Sequence, residues 1–142
     1  MGQVGIANHA CATQFWAYLE GALPLNRLVI YARNVEETAQ FYEKHFSFKA
    51  TRLPGDRIVE LVAQDGGANI MLHAAAKGQR SGQSIIKLVF DVEDVEAFCA
   101  QRAKAGLTFG PIHTSDGYLF ANAKDPCQNS IQVSSRAFRK DR

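Results

Sequence analysis

Two stretches decide the fold when one is set above the other: LVIYARNVEETAQFY (28–42) and LVFDVEDVEAFCAQR (88–102), offset by 60 residues. Leu28 and Leu88, Val29 and Val89, Val35 and Val95, and Glu36 and Glu96 are identical, and Ile30 matches Phe90 in kind. Each stretch reads as a short apolar strand, a capping residue and an amphipathic helix. A repeat of this grammar means two copies of one unit. Neither copy buries a sheet face and a helix stripe alone, so the two are expected to pack together or to pair across a dimer.

In the first copy, Asn34 reads as the helix N-cap and Glu37 as its capping-box partner. The helix is expected to run to about His45, with Val35, Thr38, Ala39, Tyr42 and Phe46 near one face. Beyond PGD (54–56) come a strand RIVELVA (57–63), a turn DGG (65–67) and a strand ANIMLHA (68–74). The small, polar stretch AAAKGQRSGQS (74–84) reads as a loop between the halves. The second copy starts with IIKLVFDV (85–92). Asp94 caps a helix carrying Val95, Phe98, Cys99, Ala103 and Leu107, and Gly106 suits its left-handed end. Then come GPIHTSDG (110–117), a strand YLFANA (118–123), a turn KDPCQN (124–129) and a strand SIQVSS (130–135).

The expected fold class is α+β: two tandem βαβββ modules whose curved sheet forms a cup, plus a short N-terminal helical extension. The divisions are 1–25 for the extension, 26–75 for the first module, 76–84 for the linker, 85–135 for the second module and 136–142 for a basic tail. Within the extension, ATQFWAYLEGAL (12–23) reads as a short amphipathic helix capping the core.

Composition agrees. The chain has 142 residues, 46% hydrophobic and 21% charged, the size of one domain of about 100–150 residues. No apolar run approaches the roughly 20 residues that span a bilayer. The N-terminus lacks a basic segment followed by an apolar block, which argues against a secretory signal. Cys11, Cys99 and Cys127 are odd in number and form no CxxC, which disfavours a disulfide scaffold or zinc knuckle and points to a reducing cytoplasm. The net charge of +2 comes from a tail, RAFRKDR, of +3, leaving the body at −1. Such a body has no footprint for nucleic acid or membrane, and the tail reads as a solvated end.

Two segments carry a resemblance: LVIYARNVEETAQFYEKHF at the first strand and helix, and FANAKDPCQNSIQVSS at the last hairpin. The second is similar to the ending DP-x-x-N-x-I-x-hydrophobic of the vicinal oxygen chelate superfamily, which includes glyoxalase I, extradiol dioxygenases, fosfomycin-resistance enzymes and bleomycin-resistance proteins. The resemblance covers about residues 26–135. Metal-dependent members set their ligands on four strands, two from each half. Carried over by position, those places hold Arg27, Met71, Lys87 and Gln132. Protonated cations have no lone pair to donate, and a thioether is a soft ligand, so only Gln132 is a plausible donor. Sliding the alignment by one gives Leu28, Leu72, Leu88 and Val133, or Asn26, Ile70, Ile86 and Ile131, and neither set chelates. The resemblance therefore implies a small-molecule-binding protein, a homodimer without the usual metal or another cofactor. The alternative is a lyase, isomerase or dioxygenase using a relocated metal or acid–base residues. Where relatives often have glycine between two aromatics, this chain has Phe46-Ser47-Phe48. Cys127-Gln128 stands where many have a small residue and glycine.

Strand alternation places Arg27, Tyr31, Met71, His73, Lys87, Asp91 and Gln132 on the cup side as ligand-binding candidates. Arg27 and Lys87 occupy equivalent positions. Either they grip an anion such as a carboxylate or phosphonate, or each pairs with an acid, Lys87 with Asp91 and Arg27 with Glu60; pairing is preferred. His73 and Glu60 are the candidate catalytic groups, and with Gln132 the one non-standard metal constellation; a hydrogen-bonded wall role for His73 is preferred. Tyr31, Tyr118 and Phe120 either stack on a ligand or pack the wall. His113 is expected in a solvent-exposed loop, His9 and His45 on the surface, Cys99 in the core, and Cys127 in an accessible turn.

Overall fold

The computed structural model describes residues 23–140 and contains the expected repeat. The first module comprises β1 (Arg27–Ala32), α1 (Val35–Phe46), β2 (Lys49–Thr51), β3 (Val59–Val62) and β4 (Asn69–Ala74). The second comprises β5 (Lys87–Asp91), α2 (Val95–Lys104), β6 (His113–Ser115), β7 (Tyr118–Lys124) and β8 (Ser130–Ser134), followed by a 3₁₀ turn at Arg136–Phe138. Each module has its own four-stranded sheet, ordered β1-β4-β3-β2 and β5-β8-β7-β6. The first strand of each runs parallel to the last, and the other neighbours are antiparallel. The architecture is α+β, two tandem modules. The expected helix at 12–23 lies outside the described residues apart from Leu23, which is exposed.

Local chemistry sets the helix ends. Asn34 Oδ1 accepts from Glu37 N–H at 3.0 Å, and Asp94 Oδ1 from Ala97 N–H at 3.0 Å. Each cap satisfies a donor that has no partner within its helix. Helix α1 ends at Ser47, which takes the left-handed conformation (φ 60°, ψ 29°) that glycine adopts most easily. Helix α2 ends through Gly106 at φ 102°, with Leu107 N–H donating to Arg102 O at 2.8 Å.

The modules share their helix-side faces. Ile30, Leu61, Ile70 and Leu72 of the first sheet pack with Tyr42 of α1, and Leu88 and Phe90 of β5 close on them. Phe46 stacks on Phe90, with ring centroids 4.0 Å apart. Fully buried Tyr42 donates its hydroxyl to Asp125 Oδ2 at 2.6 Å, joining the first helix to the last hairpin. Asp125 also accepts from the backbone N–H groups of Cys127 and Asn129, both at 2.8 Å, and from Asn129 Nδ2 at 3.1 Å. A buried carboxylate is tolerated when it is bonded in this way.

Three expectations are corrected. His45 is buried, against Phe41 and near Arg102, whose Nη1 lies 3.4 Å from His45 Nδ1 and donates to Lys44 O at 3.0 Å. Cys127 is buried rather than accessible, with Sγ 3.4 Å from Thr38 Oγ1. The tail is not simply solvated: Arg136 and Arg139 both lie 5.3 Å from the ring centre of Tyr118. Guanidinium–aromatic contact draws both arginines back, and the Arg139 side chain is only 12% exposed.

Candidate ligand-binding site

Residues opposite one another in a ladder share a face, so register assigns the open face of each sheet, the one turned away from the helices. In the first sheet, Arg27 lies beside Asn69, Val29 beside Met71, Tyr31 beside His73, and Glu60 beside Met71. In the second, Lys87 lies beside Ser130, Val89 beside Gln132, Asp91 beside Ser134, and Asn122 beside Gln132. Every candidate site residue therefore sits on an open face. Arg27, Tyr31, Glu60, Met71 and His73 share the first sheet, and Lys87, Asp91 and Gln132 the second.

The two cations have different partners. Arg27 Nε lies 3.3 Å from Glu60 Oε2, which also accepts from Asn69 Nδ2 at 3.1 Å. Lys87 does not pair with Asp91. These two stand four residues apart on one strand, about 13 Å at strand rise. Lys87 Nζ instead donates to Asn122 Oδ1 at 3.1 Å, which also accepts from Gln132 Nε2 at 2.9 Å. Asn122 is thus the counterpart of Glu60, an uncharged amide in place of a carboxylate.

His73 Nδ1 lies 2.9 Å from Ala74 O, with its ring 5.5 Å from that of Tyr31. Glu60 is taken up by Arg27 and Asn69, so the candidate acid–base pair has separate partners. At the four positions carried over from metal-dependent relatives, an ion would meet a guanidinium, an ammonium, a thioether and one amide oxygen. These residues do not fit a divalent ion. Among the described residues, no group of three or more His, Cys, Asp or Glu side chains gathers in a way that could hold one.

The open face of β7 carries the expected Tyr118 and Phe120 and adds two groups that sequence reasoning passed over, Asn122 and Lys124. Tyr118, Phe120, Asn122 and Lys124 alternate along it. Phe120 stacks on His113, with centroids 5.1 Å apart and planes at 30°, and lies 6.0 Å from Tyr118. His113 is in β6, not in a loop. Hydrogen bonds from Ser115, then Arg136, hold the Tyr118 phenol below its ordinary pKa. Lys124 Nζ donates to Ser130 Oγ at 3.0 Å. Alternation back from Gln132 through the hairpin would have placed Lys124 on this face. Reading KDP as turn concealed it.

Two cavities flank the seam between the modules, related by the sequence repeat. One, of about 420 Å³, is lined by Leu28, Ile30, Leu88, Cys127 and the linker residue Arg80. The other, of about 470 Å³, is lined by Leu28, Leu88, Phe46, Phe90, Asp65 and Asp91. Both lie in the size range of small-molecule pockets, about 300–1,000 Å³.

Solved structures share this arrangement at low identity. An antibiotic-binding protein, TnmS3 from Streptomyces sp. CB03234, is 17% identical with a TM-score of 0.66, over 78% of this chain and 93% of that one. A lactoylglutathione lyase from Agrobacterium tumefaciens is 18% identical with a TM-score of 0.60, over 78% and 92%. An integron cassette protein from V. Cholerae is 26% identical with a TM-score of 0.61, over 79% and 94%. No curated protein sequence matches the chain. Residues 24–133 match the family model, and the chain belongs to the Glyoxalase/Bleomycin resistance protein/Dioxygenase superfamily.

Proposed function

We propose that the chain binds a small organic molecule on its open sheet faces, without the metal centre of its metal-dependent relatives. The observation that carries this reading is the chemistry at the four ligand positions: Arg27, Met71, Lys87 and Gln132. Around them the open faces mix apolar walls with a few polar groups, the usual composition of a ligand site. TnmS3, described as antibiotic-binding, is a precedent for binding on this fold.

A homodimer in the cytoplasm completes the proposal. Val29 and Val89 are 45% and 53% exposed, Ile86 is 64% exposed and Ile85 is fully exposed. All four lie on or just before β1 and β5, the end strands of the two sheets, where a second copy would remove them from water. The test is a thermal-shift screen of a diverse small-molecule library, with and without EDTA. The expected result is a rise in melting temperature with some compounds, unchanged by chelator, because binding to the folded state alone stabilises it. A flat screen, or a shift abolished by EDTA and restored by a divalent metal, overturns the proposal.

A further inference from the structure

The second sheet's open face carries two lysines that bond neutral partners. Lys87 on β5 and Lys124 on β7 flank Ser130 of β8 in one row. Lys87 bonds an amide oxygen and Lys124 a hydroxyl. Among the described residues, neither forms an ion pair with a carboxylate. Three adjacent strands place their Cα atoms about 10 Å apart, and both side chains lean inward over the strand between them. The equivalent cation of the first sheet, Arg27, is already answered by Glu60. With its oxygen occupied by Lys87 and Gln132, Asn122 has its Nδ2 left as a third donor group.

One residue pair farther along β7, the same face becomes aromatic. Phe120 stacks on His113, and Tyr118 follows. Asn122 and Phe120 are two residues apart, about 7 Å at strand rise, and Lys124 stands two residues farther, about 13 Å from Phe120. Asp91 lies in the Phe120 row, at its β5 end, where it would repel an anion. The face is therefore polar in one direction: donors and positive charge at the Lys124 end, aromatic rings and a negative edge at the other.

Resting on the small-molecule reading above, we propose that the ligand class is an aryl carboxylate. Its ring lies on Phe120 and His113, and its carboxylate meets Lys87 and Lys124. Charge-assisted hydrogen bonds fix one end, and stacking with a favoured offset geometry fixes the other.

The experiment is isothermal titration calorimetry of the full chain with 5-phenylpentanoate, whose chain is long enough to reach the lysine row from the Phe120 ring, and with its neutral counterpart 5-phenylpentan-1-ol. The acid is expected to bind at least about tenfold more tightly than the alcohol. In Lys87→Gln/Lys124→Gln the acid loses about tenfold, while alcohol affinity stays within about twofold; retained alcohol binding shows that the variant is folded. The charge-matched variant Lys44→Gln/Lys104→Gln, on the helices, leaves both unchanged. If the alcohol binds as tightly as the acid, or if the double lysine variant leaves the acid's affinity intact, the aryl carboxylate assignment is overturned and the small-molecule reading stands. If neither compound binds, the assignment is also overturned, and the library screen decides the broader reading separately.

Discussion

Replacing Tyr42 by Phe removes one hydroxyl from the clasp that ties the first helix to the last hairpin. The ring is fully buried, and its oxygen lies 2.6 Å from Asp125 Oδ2. Burial, then the nearby Asp125 charge, pushes the phenol pKa well above its ordinary value, so it stays a donor. A hydrogen bond to a charged partner is worth about 1.5–3 kcal/mol. Asp125 keeps its three bonds from Cys127 and Asn129, so the variant does not strand a bare charge. The expected loss is about 2 kcal/mol. In urea this moves the unfolding midpoint down by about 1 M at unchanged slope. A cycle with Asp125→Asn should give a coupling of about 1–2 kcal/mol. A Tyr42→Phe loss below about 0.5 kcal/mol, the level of an ordinary surface substitution, would refute the claim that this bond holds the modules together.

Three further outcomes are expected. Burial, then the charges of Arg102 and Lys44, lowers the pKa of His45, so the fold favours its neutral form. Stability is therefore present above the unfolded value of 6.5 and falls as the pH drops below it; melting curves from pH 8 to 5 should show a decline that is smaller in His45→Gln, and equal declines would contradict this. Ser47 and Gln128 are left-handed at φ 60° and φ 66°, which costs a non-glycine residue about 1–2 kcal/mol. Glycine has an entropic penalty of about 0.5–1 kcal/mol, so Ser47→Gly and Gln128→Gly should each raise the urea midpoint slightly, and a drop in both would show that the strain is absent. Burial raises the Cys127 thiol pKa, so peptide mapping after alkylation should find it unlabelled in the native protein and labelled in denaturant; rapid native labelling would contradict its burial.

The parts of the fold legible in the sequence are those built from local contacts. Asn34 and Asp94 cap helices through bonds only three residues away, and Gly106 ends α2 within one turn. Strand parity likewise put Arg27 and Met71 on one face. What parity alone does not supply is register between distant strands. The partner of Lys87 is Asn122, 35 residues on, and it is identified only once β7 and β8 are paired. The strands β2 and β6, three residues each, are too short to show a period and exist through their ladders with β3 and β7. His45 shares a helix face with Thr38 and Tyr42, but Arg102, from the other module, completes its surroundings. Arg139 looked like part of a charged end until Tyr118 offered it a ring to cover.

This member of the superfamily is proposed to bind an organic ligand without a metal. Native mass spectrometry of protein purified without chelators or added metal tests it most directly, since one spectrum reports subunit count, bound metal and retained ligand. A dimer with no stoichiometric metal is expected. A dimer carrying about one divalent ion per site, lost with EDTA, would contradict it.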